Sequence, residues 1–180
     1  LIDAEGGKPE RLTSEIENNF SPSWSHDGKW IYFTSRRSGE SHIWKIPATG
    51  GPATRISEQS GWCPLESKNG RFLYYVTMSR GTLRAIPLSG GPERELFSGL
   101  GENGSSYAPA TDGIYFVRRV TSTGKHELAF FHFASNRITT LAEISRPISV
   151  GLALSPNEDV VLYSQVDRQA SDLMLVENFR

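Results

Sequence analysis

The segment PSWSHDGKWIYFTSRRSGESHIWKIPATGGPATRIS, Pro22–Ser57, decides the fold because it returns as CPLESKNGRFLYYVTMSRGTLRAIPLSGGPERELFS at Cys63–Ser98. The turn glycine Gly28 recurs at Gly70, 42 residues on. A third copy, Ala108–Ala142, carries Asp112-Gly113 at that turn, and a fourth, Leu152–Phe179, carries Asn157-Glu158. The doubled glycine keeps the same beat: Gly6-Gly7, Gly50-Gly51 and Gly90-Gly91 follow short apolar runs at intervals of 44 and 40 residues. A fixed period of about 20 to 50 residues marks a repeat architecture.

Each unit reads as four short strands. Asp27-Gly28, Asn69-Gly70 and Asp112-Gly113 have the composition of two-residue hairpin turns, whose central positions favour glycine and Asn or Asp because φ is positive there. The second strands, Trp30–Thr34, Phe72–Thr77, Ile114–Val117 and Val160–Ser164, are almost continuously apolar, as expected of strands covered on both faces. Loops such as Ser35–Ser41 and Thr121–Lys125 lead to third strands at His42–Ile46, Thr82–Ile86, Glu127–Phe133 and Asp172–Val176. Fourth strands follow at Arg55–Ser57, Glu95–Phe97 and Ile138–Leu141. No stretch sustains a 3.6-residue apolar period, and Thr13–Asn19 has room for a single helical turn.

The chain is therefore read as all-β: blades of four antiparallel strands, about four of them, belonging to a larger β-propeller, with units at 18–57, 59–98, 104–142 and 148–180 and a partial one at 1–13. A β-sandwich would not account for the recurrence every 42 to 45 residues. Leu1–Gly7 and Arg11-Leu12-Thr13 read as the third and fourth strands of a preceding blade. An arc of blades cut from a ring exposes an apolar face and an unpaired edge at each end, so a homodimer through those edges is expected.

The pattern Trp-Ser-x-Asp-Gly-Lys, apolar strand, Thr-Ser-x-Arg-x-Gly, Ile-Trp and Gly-Gly at Trp24–Gly51 resembles the TolB-like propeller repeat, and is also similar to the propeller of dipeptidyl peptidase IV-type enzymes. The resemblance implies a non-catalytic binding surface or funnel, any chemistry belonging to another domain. The ending SDLMLVENFR resembles the C-terminus of large bacterial sensor-type proteins, which implies an extracytoplasmic position while leaving the compartment itself open. Later copies drift: Glu66-Ser67-Lys68 stands where the first has Trp24-Ser25-His26.

Nineteen basic against twenty acidic residues give a formal charge of −1, without the excess that draws a protein to nucleic acid. The single cysteine, Cys63, excludes an intrachain disulfide, and no apolar run reaches the roughly 18 residues of a membrane helix. Leu1 in place of an initiator methionine suggests a piece of a longer chain.

Two motifs are read as structural. Gly99–Gly104 matches GxGxxG, but a proline and a strand follow it where a phosphate-binding helix should begin, so it reads as an inter-blade loop. His126 and His132 share a strand face, yet six strand residues put them roughly 20 Å apart, too far to share a metal. Neither a Gly-x-Ser-x-Gly elbow nor zinc-type ligand spacing occurs. The reading is a module with no catalytic, cofactor or metal residues that binds a protein or peptide. The alternatives are the substrate-gating propeller of a serine peptidase and a small-ligand sensor. Trp62, before the second copy, with Arg36 and Arg37 in the charged loop, forms the candidate contact surface, since aromatic and arginine side chains dominate binding hot spots.

Overall fold

The structure, a computed structural model, describes residues 1–13, 18–79, 81–100, 106–120, 122–146 and 148–166. The third strand expected at Asp172–Val176 lies outside them. Three antiparallel four-stranded meanders stack in chain order. Blade 1 holds β1 (Asn19–Trp24), β2 (Trp30–Ser38), β3 (Glu40–Pro47) and β4 (Thr54–Arg55). Blade 2 holds β5 (Gly61–Glu66), β6 (Phe72–Thr77), β7 (Thr82–Pro87) and β8 (Arg94–Phe97). Blade 3 holds β9 (Tyr107–Pro109), β10 (Gly113–Arg119), β11 (His126–His132) and β12 (Arg137–Ile144), and blade 4 holds β13 (Ile148–Leu154) and β14 (Val161–Gln165).

The second strands of blades 1 to 3 are buried as their composition requires, with Ile31 to Ser35 and Leu73 to Val76 nearly inaccessible, whereas β14, the fourth, is largely exposed among the described residues. Alternate side chains of one strand serve two interfaces. Tyr32 and Ile43 of blade 1 meet Leu73, Tyr75 and Ile86 of blade 2. Tyr74, Val76 and Leu83, on the other face of blade 2, meet Ile114, Phe116, Ala129 and Phe131 of blade 3. Phe97 sits in that second interface, 4.4 Å from the Phe116 ring and 4.8 Å from that of Phe131. Such aromatic pairs contribute roughly 0.5–1.5 kcal/mol beyond area burial.

In blades 1 and 2 the turns between first and second strands are wider than the expected two-residue hairpins. The Ser25 N–H bonds the Trp30 carbonyl and the Gly28 N–H bonds that of Ser25, which encloses a four-residue loop with only Gly28 in the left-handed region (φ 69°). The serine sets this geometry. Ser25 Oγ donates to Asp27 Oδ1 at 2.7 Å and accepts the Trp30 N–H at 2.9 Å. Ser67 and Asn69 repeat the arrangement in blade 2; in blade 4 Ser155 accepts the Val160 N–H in the same way but donates to Asp159, four residues on, and Glu158 takes the glycine position at φ 63°. Blade 3 has alanine in place of the serine and turns more tightly through Thr111-Asp112, with the Ala110 N–H bonded to the Gly113 carbonyl.

The expected loop Ser35–Ser41 is instead the end of β2 and the start of β3, joined at Gly39, whose N–H bonds the Arg36 carbonyl. Arg36 and Arg37 thus belong to a strand. Residues 1–13 form no assigned strand, but Leu1 and Glu10 bond each other through their main chains, and the Gly6 N–H bonds the Asp3 carbonyl. The pairs Lys45–Thr54 and Ala85–Arg94, with turn bonds at Gly50 and Gly90, have the same spacing. Leu12 then packs on Ile31, Phe33 and Ile46, the face of blade 1 turned away from blade 2.

Candidate functional site

Every second strand ends, and every first strand begins, at the same mouth of the arc. The hairpins there join β2 to β3, β6 to β7 and β10 to β11. The three candidate contact residues all stand at this mouth: Arg36 and Arg37 near the end of β2, and Trp62 near the start of β5, opposite Val76.

Their surroundings are unequal. Arg36 is exposed, its Nε donating to Ser41 Oγ at 3.2 Å. Arg37 lies back on its own blade, with its guanidinium carbon 4.7 Å from the centre of the Trp44 ring and 5.3 Å from that of Phe33. Its Nε donates to Ser35 Oγ at 3.0 Å and its Nη2 to Asn19 Oδ1 at 3.3 Å. These contacts fix Arg37 as a packing residue that closes the top of the blade. Trp62 is half-buried against the cluster between blades 2 and 3.

The innermost strands are stitched to one another. Ser23 Oγ donates to the Pro64 carbonyl at 2.7 Å, and the Tyr107 hydroxyl donates to the Cys63 and Tyr74 carbonyls. β1 and β5 each carry a bulge with a left-handed non-glycine residue, Ser21 (φ 50°) and Cys63 (φ 52°), whose side chains meet at 3.5 Å. The signal for this feature was present as two Xaa-Pro steps, Ser21-Pro22 and Cys63-Pro64, 42 residues apart. Burial pushes the Cys63 thiol above its ordinary range, outweighing the opposing bond from Ser21, so the thiol stays protonated and is a poor nucleophile.

Met78, overlooked in the sequence, is 57% exposed at the blade 2 hairpin end of the same mouth. On blade 3, Arg118 Nη2 and Glu127 Oε2 pair at 2.8 Å, and the arginine with Thr140 holds the Glu127 carboxyl below the usual range. Lys125 and Glu143 pair at 2.8 Å. Two of the four histidines are engaged locally: His42 Nδ1 is 3.2 Å from Ser38 Oγ, and His132 Nε2 is 3.1 Å from Thr139 Oγ1. Among the described residues no group of three His, Cys, Asp or Glu could hold a metal ion, and no helix is long and apolar enough to cross a membrane. Of the GxGxxG match, Gly99 and Leu100 are described, and the Leu100 N–H bonds the Gly81 carbonyl at 3.0 Å; residues 101–105 lie outside the described set.

Repeated four-stranded meanders with faces packed on one another define a β-propeller arc. More particularly, residues 1–143 match the TolB beta propeller domain (PD40), and the chain belongs to that family. The protein Atu1656 of Agrobacterium fabrum is 28% identical over 133 residues, covering 65% of this chain and 45% of that protein. The Tol-Pal system protein TolB of Desulfosudis oleivorans is 31% identical over 80 residues, or 42% of this chain and 17% of that one. TolB from Acinetobacter baumannii superposes with a TM-score of 0.73 at 21% identity, over 92% of this chain and 42% of the other. The chain thus spans less than half the length of each of these three proteins.

Proposed function

We propose that this propeller arc is a non-catalytic module that binds a protein or peptide at the mouth formed by the ends of the second strands. The observation that carries the reading is the grouping of exposed Arg36, exposed Met78 and half-buried Trp62 on adjacent blades at one mouth. An aromatic, an arginine and a flexible thioether suit a protein surface better than a small polar substrate. The Tol-Pal relative is named for a protein system, which agrees with this reading. The inward-lying groups offer little chemistry: the one thiol is held protonated, and burial pushes the Tyr74 phenol up to about 12.

The test is selection of a displayed peptide library on the purified chain, followed by binding measurements on Arg36→Glu, Trp62→Ala and Lys8→Glu, the last lying away from this mouth. Peptides that lose at least tenfold in affinity on the first two variants and none on the third support the reading. Peptides indifferent to Arg36 and Trp62 would overturn it.

A further inference from the structure

We infer that Asn69 is a site of spontaneous deamidation which the blade 2 turn holds closed, and that its aspartate product fits the same turn. Asn69-Gly70 is an asparagine-glycine step, a labile context because glycine, with no side chain, leaves its backbone nitrogen open to approach. In the reaction the Gly70 nitrogen gives its proton to solvent and attacks Asn69 Cγ. A cyclic imide closes, and the side-chain nitrogen leaves as ammonia with a proton taken back from solvent. Water then opens the imide at one carbonyl to give aspartate, or at the other to give isoaspartate, whose main chain is longer by a methylene.

The turn opposes the attack at both of its partners. The Gly70 N–H donates to the Ser67 carbonyl at 3.0 Å, so the nucleophilic nitrogen forms only when that bond breaks. Asn69 Oδ1 accepts the Ser67 hydroxyl at 2.9 Å and the Arg71 N–H at 3.1 Å, which fixes the plane of the amide. Ser67 anchors both arrangements. It is buried, and its Oγ also accepts the Phe72 N–H at 3.0 Å where β6 begins. Two donors on Oδ1 polarise the amide towards attack, but the engaged nitrogen decides, because no attack starts while its proton is held. Asn69 itself is exposed, so water reaches the imide as soon as the turn has opened. The equivalent turn of blade 1 shows that a carboxylate is accepted in this place. Asp27 Oδ1 accepts the Ser25 hydroxyl at 2.7 Å and the Lys29 N–H at 3.0 Å, and the Gly28 N–H bonds the Ser25 carbonyl at 3.0 Å. Isoaspartate places its extra methylene inside the ring that the Ser67 carbonyl and the Gly70 N–H close, and so misaligns that bond. Opening of the blade 2 turn is thus recorded covalently, as an aspartate that fits the turn again or an isoaspartate that does not.

Mass spectrometry of the chain incubated at mildly alkaline pH, folded and in urea, tests the inference. A glutamate-specific digest yields residues 67–93, in which Asn69 is the single asparagine and glutamine is absent, so the other Asn-Gly step, Asn103-Gly104, does not interfere. Deamidation of Asn69 should be at least about tenfold slower in the folded chain than in urea, the ratio being set by local opening of the turn. Ser67→Ala should narrow that ratio with an unchanged circular dichroism spectrum, and Ser67→Thr, which keeps the hydroxyl, should restore it. Asn69→Asp should keep the thermal midpoint of the parent chain. Equal rates in the folded chain and in urea would overturn the inference, whether or not Ser67→Ala folds. So would a folded Ser67→Ala that deamidates no faster than the parent, the result expected if polarisation of the amide governs the rate, or a lowered midpoint for Asn69→Asp.

Discussion

The Tyr107 hydroxyl donates to the Tyr74 carbonyl at 3.1 Å across the interface between blades 2 and 3, and the same hydroxyl reaches the carbonyl of the bulged Cys63. A single fully buried phenol thus ties the innermost strand of one blade to two strands of its neighbour. Burial raises its pKa well above the ordinary phenol value, first by desolvation and then by the adjacent Cys63 and Tyr74. Tyr107→Phe keeps the ring and leaves buried carbonyl oxygens unpaired, a loss of about 1–3 kcal/mol. Urea unfolding should show the midpoint fall with the slope unchanged. An unaltered midpoint would mean that water replaces the hydroxyl.

Gly28 and Gly113 occupy equivalent turns for different reasons, so the same substitution should act differently at each. A Cβ at Gly28 meets nothing within 4 Å, and the residue is left-handed at φ +69°. Gly28→Ala should therefore cost about 1–2 kcal/mol, the ordinary penalty of that conformation, and Gly28→Asn less. At Gly113 φ is ordinary, but a Cβ would lie 2.1 Å from the Phe131 carbonyl oxygen and 2.4 Å from the Phe130 ring. Gly113→Ala should cost about 1–3 kcal/mol or more through forced backbone shifts, with no relief from asparagine. Thermal unfolding of the four variants separates the two cases.

Glu158 clasps blade 4 to blade 3. Both its carboxylate oxygens lie 3.1 Å from the Thr111 N–H, and Thr111 Oγ1 donates to Oε1 at 2.9 Å. Lys68 from the blade 2 turn approaches to 4.0 Å. Glu158→Gly relieves the left-handed strain but releases the clasp, whereas Glu158→Gln keeps an acceptor for Thr111. Hydrogen exchange should quicken in β13 and β14 for the glycine variant only, with blades 1 and 2 unchanged.

Asp27 gives the fold a dependence on acid. The Lys29 N–H first, then the Ser25 hydroxyl, hold its carboxyl below the usual range. Its contribution is complete above the unfolded pKa and is lost as pH falls through the lower folded value. Carboxyl carbon shifts should place the Asp27 titration below that of an exposed aspartate. Asp27→Asn should flatten the acid limb of the stability profile.

The period, the strand count and the all-β class were legible in the sequence because hairpins are local and a blade repeats its pattern along the chain. The Ser-x-Asp-Gly turns and the Gly-Gly turns could be located, although the Ser25 and Ser67 side chains widened two of them beyond two residues. What the sequence could not state was which equivalent positions are covered. Arg36 and Arg37 have the same composition as a solvated loop, yet a strand holds them and Arg37 lies on Trp44. Tyr74 and Tyr75 are neighbours in one apolar run, and each is buried against a different blade. The difference is physical: pairing within a blade depends on neighbours in the chain, but burial depends on the adjoining blade, which only the tertiary structure supplies.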